Sequence, residues 1–377
     1  MNDVYILGGL RSYIGIKNGI YKNMLPEELA SELLKKLINR YSISNIDEVI
    51  CGNIIGTGGN ITRLMCLKAG LSKVPAFTID MQCASSMEAI NIASLKIKAE
   101  DADIIIAGGF ESSSMEPLRY YNKNDFRYAK DGRYTQAQFC VEDYSNAASF
   151  NFAERICKIK GINSELLNYY TLESHKKAQK ASKGGYLNSI IESINGSTKD
   201  EGIRKNMSMH LLERLPKLKK EGINSIGNIS SLNDGAAFIV LCSSKYIKEN
   251  KIKPIAKIVS YDKTCVEPLL SPYGAIYSAE NNLKKNKMTF NDISAIEFNE
   301  AFAVIDVLFA EKYKEFLDKY NIFGGALSYG HPYGASGAIN ILHLIKALEV
   351  KKGDYGISSI AASGGIGASF IIKYLKE

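Results

Sequence analysis

The sequence lacks several features that would assign it to particular classes of protein. No stretch approaches the roughly 18 uncharged apolar residues of a membrane-spanning helix, so we expect no membrane partner. It contains 31 Gly but only 8 Pro, and 46% of its 377 residues are apolar, which excludes a disordered chain and a collagen-like repeat. Its seven cysteines are not closely paired, which excludes a small disulfide-stapled scaffold and favours a reducing compartment. We therefore predict a cytoplasmic protein.

Patterns typical of metal sites are missing as well. There are only four histidines, no two of them have metal-ligand spacing, and no Cys-x-x-Cys occurs. We therefore expect no metal.

The net charge of +7 is concentrated in one part of the chain. Residues 117–230 contain 19 Lys and Arg against 12 Asp and Glu, so this segment alone accounts for the excess. A local excess suggests a local anionic partner, although a solvated helical face is the simpler interpretation of composition alone. No recognised nucleic-acid-binding motif accompanies the segment, so we expect no nucleic-acid partner.

Short apolar runs that end in Gly alternate with helical stretches. The runs at 47–52, 102–109 and 356–365 have the composition of buried parallel strands that lead into helices. The stretches at 26–39 and 87–99 have helical character. This alternation predicts an α/β fold with covered sheets. The segment 117–228 is richer in Tyr, Lys and Asn, and we interpret it as an insertion or lid.

An internal repeat connects the two ends of the chain. Three pairs of similar segments recur in the same order at a spacing of about 250 residues: 47–53 with 294–299, 84–92 with 335–341, and 104–112 with 359–369. The shared order predicts two similar α/β halves. Such halves usually bind ligands at their junction, at the carboxyl ends of strands.

Cys83 is the strongest candidate nucleophile. It lies in IDMQCASSM (79–87), between a strand-like run and a helix that begins near Ala84. The positive end of the helix dipole would favour its thiolate, and nearby backbone N–H groups could stabilise an oxyanion. A free cysteine is more often a small buried apolar residue, and the local sequence leaves that alternative open.

His331 and Asn299 are candidate partners for the cysteine. His331 lies in GGALSYGHPYGASGA (324–338), a Gly-rich stretch that predicts a tight loop entering a helix, and Pro332 restricts the backbone after it. Asn299 and Glu300 follow a strand-like run and begin NEAFA (299–303), where a helix cap is the alternative role. Beside a Cys and a His, an Asn could orient a water or donate to an oxyanion.

Taken together, these motifs resemble the thiolase family of acyl-CoA acyltransferases. The matches cover the whole chain in the family's order: the nucleophile loop with Cys83, AGGFES (107–112), NISSLNDGAA (228–237), NEAFA, GGALSYGHPYGASGA and SGGIG (363–367). The GHPYGASG block in combination with NEAFA is highly specific.

The resemblance implies two similar βαβαβαββ halves in a five-layered αβαβα arrangement, with a loop domain inserted in the first half. Residues 1–116 and 229–250 would form the N-terminal half, 117–228 the basic CoA-binding loop domain, and 251–377 the C-terminal half. The resemblance also implies a homodimer or homotetramer that acts on acyl-CoA or coenzyme A. The thioester is then the substrate, and no cofactor is expected.

The resemblance further implies roles for five residues. Cys83 would accept the acyl group, and His331 would act as its acid/base partner and as an oxyanion donor. Asn299 would hold the water that completes the first oxyanion hole. The backbone N–H groups of Cys83 and Ser363 would form the second hole, and Ser230 would contact the pantetheine arm of CoA.

The C-terminal loop departs from the family pattern. Ala361 stands where the family has a second catalytic cysteine, and Ser363 replaces the first Gly of the loop. In the family this cysteine takes the α-proton of the second acetyl-CoA, or activates CoA for thiolysis. Alanine can do neither, and loss of a general base typically costs about 10²–10⁴-fold in rate. The stretch SFNFAE (149–154) also departs, which leaves the shape of the acyl pocket open.

Three functions therefore stay open. The first is an acetyl-CoA C-acyltransferase in which Ser363 or His331 deprotonates the second substrate. The second is a thiolase-like acyltransferase, or a decarboxylating condensing enzyme, that loads Cys83 but needs no second catalytic cysteine. The third is a non-catalytic acyl-CoA-binding subunit on the same scaffold.

Overall fold

The computed structural model describes residues 3–128, 132–141 and 148–375. The first strands and helices are β1 (Val4–Ser12), β2 (Gly15–Ile16), α1 (Pro26–Tyr41), β3 (Glu48–Gly52), α2 (Ile61–Lys68), β4 (Ala76–Ile79), α3 (Ser85–Lys98) and β5 (Ile104–Ser112). A helical segment follows, with α4 (Ala148–Lys160), α5 (Ser164–Gly184), β6 (Ile191–Glu192) and α6 (Met209–Arg214).

The rest of the chain returns to alternating strands and helices. These are β7 (Asn233–Ser243), α7 (Ser244–Asn250), β8 (Ala256–Cys265), α8 (Tyr273–Lys285), β9 (Ala295–Phe298), α9 (Ala303–Tyr313), α10 (Ala326–Tyr329), α11 (Tyr333–Lys351), β10 (Tyr355–Ala362) and β11 (Ile366–Tyr374). Short 3₁₀ helices lie at Asn188–Ile190, Pro268–Leu270, Phe290–Asp292 and Lys314–Phe316.

Local chemistry explains where these elements begin and how deeply they lie. Helix α1 begins at Pro26, whose fixed φ suits the first helical position, and Ser42 after its end adopts the left-handed conformation. Strands β5 and β7 are buried along their whole length and read as nearly continuous apolar runs. Helix α11 is buried without interruption from Gly334 to Leu348, so it has no solvent face over four turns.

The strands form one hydrogen-bonded path in the order β4-β3-β5-β7-β1-β8-β11-β10-β9. The two halves of this path meet where β1 pairs antiparallel with β8, through Val4–Ile6 and residues 256–258. Strand β4 lies at the end of the first half.

Each half uses the same strand order. In the first half β3 is parallel to β4 and β5, and β7 is antiparallel to β5 and β1. In the second half β9 is parallel to β10, and β11 is antiparallel to β10 and β8. The strand equivalent to β4 is reduced to a bridge between Ile296 and Tyr320. The prediction of two similar βαβαβαββ halves is confirmed.

The helices complete five layers. Helices α1 and α2 cover the outer face of the first half, and α8 and α9 cover the outer face of the second half. Helices α3 and α11 pack against each other between the halves and contact strands of both. The two Ala-Ile-Asn-Ile segments of the sequence repeat, at 89–92 and 338–341, lie in these two central helices. Among the described residues, no helix is long and apolar enough to cross a membrane.

A buried ion pair ties the helical segment to the first strand. The Arg11 side chain on β1 is fully buried and donates two hydrogen bonds to the Asp200 carboxylate, at 2.8 and 2.9 Å. Asp200 also accepts the backbone N–H of Ile14 at 2.8 Å. Residues 117–228, in which the sequence predicts an inserted loop domain, are therefore joined to the sheet by a desolvated contact. The boundaries of that domain stay a prediction.

Replacing Asp200 by Ala leaves the Arg11 guanidinium buried without its counter-charge, which typically costs about 3–5 kcal/mol. We expect that loss in the free energy of unfolding, measured by urea titration. Glu173→Ala removes one partner of the exposed pair between Lys176 and Glu173 and provides the control, with an expected loss below about 1 kcal/mol. Equal losses in the two variants would contradict the structural role of the buried pair.

Candidate active site

The first turns of the two central helices meet at the carboxyl ends of β3 and β5. A Cβ added to Gly109 would lie 1.9 Å from the backbone oxygen of Gly334, and one added to Gly52 would lie 2.7 Å from the same oxygen. Only glycine permits this approach. The N–H of Ala338 also donates to the Ser86 hydroxyl at 3.0 Å, which links α11 directly to α3. The loops that enter these helices, with His331 and Cys83, are thereby brought to one place.

A tight turn presents Cys83 just before α3. Gln82 has φ 49°, a left-handed conformation that is uncommon for a residue other than Gly. The Ser85 hydroxyl holds the turn, because it accepts the Met81 N–H at 2.8 Å and donates to the Gln82 carbonyl at 2.6 Å. The backbone N–H groups of Cys83 and Ser363 both donate to the Cys83 sulfur. The predicted pair of backbone donors therefore lies at the thiol.

The protonation state of Cys83 differs from the sequence expectation. Desolvation by the surrounding protein raises the pKa of its thiol to about 12, and the charges of Glu111 and Asp80 act in the same direction. The two backbone donors oppose this rise but do not outweigh it. The prediction that the helix end favours the thiolate was wrong, since helix α3 starts only at Ser85 and burial dominates. Cys83 is therefore a thiol at neutral pH, and it would need a base to act as a nucleophile.

His331 is buried and held from both sides. Its backbone N–H donates to Asn233 Oδ1 at 3.0 Å, and its Nδ1 lies 2.6 Å from the Ser336 hydroxyl. The ring meets the Tyr333 ring edge-on, with centroids 4.9 Å apart. Burial lowers the pKa of His331 to about 3, so the imidazole is neutral at physiological pH.

Asn299 lies at the end of β9, beside the histidine. Its Nδ2 is 3.5 Å from His331 Nε2, and its backbone N–H donates to the Ser359 carbonyl at 3.0 Å. Asn299 is buried, and among the described residues its Oδ1 has no hydrogen-bond partner. Glu300 has a structural role instead, because its carboxylate accepts hydrogen bonds from Ser174 and Asn321.

Ser230 and Ser363 lie on segments that border these residues. The backbone N–H of Ser230 donates to the Ala301 carbonyl at 3.0 Å, and Leu232 forms a bridge to His331. Ser363 is in the loop between β10 and β11, which Gly364 and Gly365 turn with φ of 84° and 81°. The structure thus places Ser363 at the Cys83 thiol and Asn299 beside His331, and the segment that carries Ser230 runs next to His331.

Ala361 lies on β10 and pairs with Gly367 on β11. Its methyl group is buried in the apolar cluster that includes Phe298 and Leu327. No acid or base is present at this position.

Sequence reasoning missed the residues that hold His331. Asn233 and Ser336 stand in the quoted segments NISSLNDGAA and GHPYGASG, yet neither was singled out. Ser336 follows His331 by five residues, a spacing that the start of a helix can bring together. Asn233 is 98 residues away from His331 in sequence, and only the pairing of the two halves shows the contact.

A separate cavity of about 430 Å³ opens between α4 and the start of α8, and it is lined largely by Ile156, Ile159, Leu270, Tyr273 and Tyr277. None of the residues predicted to act in catalysis lines it. In the described part of the chain, no group of three or more His, Cys, Asp or Glu could hold a metal ion.

The site and the layered fold define the class of the protein, and comparisons with known proteins give the family. Two family models match the chain. The model described as "Thiolase, N-terminal domain" matches residues 4–245, and the model described as "Thiolase, C-terminal domain" matches residues 252–374. The "Probable acetyl-CoA acyltransferase" of Staphylococcus aureus strain COL is 32% identical over 396 aligned positions, which cover 100% of both chains.

Solved structures give the same result. The acetyl-CoA acetyltransferase of Bacillus anthracis superposes with a TM-score of 0.92 at 30% identity, covering 100% of this chain and 99% of that one. Human mitochondrial 3-ketoacyl-CoA thiolase in complex with CoA gives a TM-score of 0.91 at 26% identity, covering 100% and 98%.

The chain belongs to the thiolase family. It is an acyltransferase of that family, as the motifs around Cys83, Asn299 and His331 predict.

The raised pKa of Cys83 predicts how its thiol reacts with iodoacetamide. Because only the thiolate is alkylated, we expect the rate to keep rising through pH 10 in a Cys265→Ser protein, whose remaining cysteines other than Cys83 are buried. Mass spectrometry of the Cys83 peptide measures the rate. A rate that already levels off near pH 7 would contradict the assignment of a protonated thiol.

Proposed function

We propose that this protein transfers an acyl group from an acyl-CoA thioester through an acyl-Cys83 intermediate, most simply as an acetyl-CoA C-acyltransferase. The observation that carries the proposal is the convergence of the Cys83 thiol, two backbone N–H donors and a neutral His331–Asn299 pair at the junction of the halves. A nucleophile, a base and oxyanion donors are the set that acyl transfer requires.

In the first step His331 takes the proton of the Cys83 thiol while the sulfur attacks the thioester carbonyl. The new C–S bond forms a tetrahedral oxyanion, which collapses as the bond to the CoA sulfur breaks. The departing CoA thiolate receives the proton from His331, so the acyl-enzyme and free CoA carry no net change in charge. Burial supports this path, because a neutral imidazole and a neutral thiol let charge develop only during the reaction.

Two sets of donors would stabilise the oxyanions. The N–H groups of Cys83 and Ser363 already converge on the sulfur and form one hole. A water that donates one hydrogen to the unpartnered Asn299 Oδ1 would have its second hydrogen free for an oxyanion beside His331 Nε2. That water and His331 form the other hole.

Coenzyme A would bind along the basic segment. Nearly all of its described Lys and Arg residues are exposed, including Arg214, Lys217, Lys219 and Lys220 shortly before Ser230. Exposed positive charge attracts the phosphates of CoA, and Ser230 lies near enough to NEAFA to meet the pantetheine arm. The human mitochondrial 3-ketoacyl-CoA thiolase and the Acat5 thiolase of Ascaris suum have both been solved in complex with CoA. We expect no metal and no cofactor besides the thioester substrate.

The second step is the reaction of the acyl-enzyme with a second substrate, and at position 361 alanine supplies no base for it. In a C-acyltransferase, His331 is the neutral base near Cys83 that remains to remove the α-proton of the second substrate. The alternative is a thiolase-like acyltransferase or a decarboxylating condensing enzyme, in which loss of carbon dioxide replaces proton abstraction. The alternative is supported by Ala361 itself, whose methyl group packs among apolar side chains and offers neither an acid nor a base.

A non-catalytic acyl-CoA-binding subunit is disfavoured by the intact site. Such a protein has no need of a base 3.5 Å from an asparagine amide or of donors aimed at a thiol. We expect a homodimer or homotetramer in the cytoplasm. Among the described residues β4 pairs with β3 on one side alone, so its other edge is available to a second copy.

Incubation with acetyl-CoA tests the first step. We expect release of CoA together with the mass increase of one acetyl group on the peptide that contains Cys83. Cys83→Ser should abolish the mass increase, whereas Cys265→Ser, which removes an exposed thiol, should retain it. A wild-type protein that gains no acetyl group under any condition would refute both enzymatic functions and leave the binding subunit.

Restoring a thiol at position 361 tests the second step. Ala361→Cys should raise the rate of acetoacetyl-CoA formation by about 10²–10⁴-fold, because it supplies the missing base. Ala362→Cys is the matched control, since Ala362 is the neighbouring buried residue of β10 and packs in the central cluster on the other face of the strand. An unchanged rate in Ala361→Cys would show that another group already serves as the base.

A further inference from the structure

Glu111 is a buried carboxylate that the proposed reaction does not use. It lies at the carboxyl end of β5, within the AGGFES motif, and is 0% exposed. Its Oε1 accepts Asn53 Nδ2 at 3.0 Å and the Ile55 N–H at 3.2 Å. Its Oε2 accepts the Ile54 N–H at 3.0 Å and the Gly334 N–H at 3.1 Å. All four hydrogen bonds come from N–H donors, which an ionised carboxylate satisfies completely.

These donors belong to both halves of the molecule. Asn53, Ile54 and Ile55 form the loop after β3, whereas Gly334 is in the first turn of α11. Gly334 follows His331 by three residues, and the intervening Tyr333 packs its ring against the imidazole. The Glu111 carboxylate is therefore a direct link between the sheet of the first half and the histidine loop of the second.

Glu111 also acts on the nucleophile through its charge. The titratable groups that interact with it electrostatically are Asp80 and Cys83 on the nucleophile loop and Tyr333 on α11. Burial raises the pKa of Glu111 to about 8, and three backbone N–H groups oppose that rise. Since Cys83 titrates at still higher pH, the carboxylate is charged throughout the range in which the thiolate forms.

We propose that Glu111 is a positioning residue of the acyl transfer. Its carboxylate holds the first turn of α11, and with it His331, in a fixed place relative to the loop that carries Cys83. Where the carboxylate is ionised, its negative charge opposes formation of the Cys83 thiolate. The positioning role rests on the proposed function, whereas the effect of the charge on Cys83 does not require that function.

An amide cannot replace this carboxylate. Each carboxylate oxygen accepts two N–H groups, so in either orientation of a glutamine side chain two donors face an NH₂ group and lose their acceptor. Aspartate keeps the charge but is one methylene shorter, so it cannot reach both loops as glutamate does. The pair Glu111→Gln and Glu111→Asp thus separates the charge from the geometry.

Two measurements test the proposal in a Cys265→Ser background. The first is the rate of Cys83 acetylation at varied acetyl-CoA. We expect a maximal rate about 10- to 100-fold lower in both variants, with little change in the acetyl-CoA concentration that gives half of it, because positioning and not binding is lost. The second is the pH dependence of Cys83 alkylation. We expect it to shift to lower pH by about one unit in Glu111→Gln and not in Glu111→Asp.

Asp262→Asn is the matched control. Asp262 is a buried carboxylate on β8, 2% exposed, whose partners are Ser278 and Lys285 on α8. Its amide variant removes one buried charge whose partners lie on α8, and both measurements should match those of the parent protein.

The outcomes are distinguishable. A Glu111→Gln protein with parental acetylation and alkylation overturns the proposal, and so does a loss of rate that is matched by Asp262→Asn. If Glu111→Gln does not fold, Glu111→Asp tests the positioning role by itself. A maximal rate of Cys83 acetylation equal to that of the parent protein would then refute this role. If the parent protein itself gains no acetyl group, the proposed function fails, and the alkylation profile still decides whether the Glu111 charge acts on Cys83.

Discussion

The whole site depends on one close backbone contact between the halves. Gly52 and Gly109, at the ends of β3 and β5, approach the first turn of α11 so closely that a single methyl group at Gly109 would lie 1.9 Å from the Gly334 oxygen. This contact fixes the position of the first turn of α11 relative to strands β3 and β5. Because His331 leads into α11 and Cys83 leads into α3, the same contact sets where these two side chains lie. Glu111 adds hydrogen bonds at the same point, since Gly334 is one of its donors.

Burial then decides the electrostatics of the site. It raises the pKa of Cys83 and lowers the pKa of His331, so both groups are neutral before the reaction. An ion pair in the resting state would already have used the stabilisation that the oxyanion donors provide. In the proposed reaction, a neutral pair in a desolvated site keeps that stabilisation for the transition state, where charge develops next to fixed N–H groups.

The departure at Ala361 is local, which is why it leaves the fold unchanged. The methyl group packs in the apolar cluster with Phe298 and Leu327, and β10 keeps its regular pairing with β11. Cys83, Asn299 and His331 lie on other segments, and Ser363 alone shares the loop that follows Ala361. In the proposed function the second step can therefore vary while Cys83, Asn299 and His331 stay in place.

The sequence by itself determined the order of the elements, the two similar halves and the three motif residues Cys83, Asn299 and His331, because periodicity and short motifs are local properties. It also located the excess charge. Tertiary structure alone decided the protonation of Cys83, where burial outweighs the helix end that the sequence emphasised. It likewise decided the partners of the site, since Asn233 lies 98 residues from His331 and Glu111 lies 223 residues from Gly334. Desolvation and long-range hydrogen bonds arise only when segments from both halves pack together, so no local pattern encodes them.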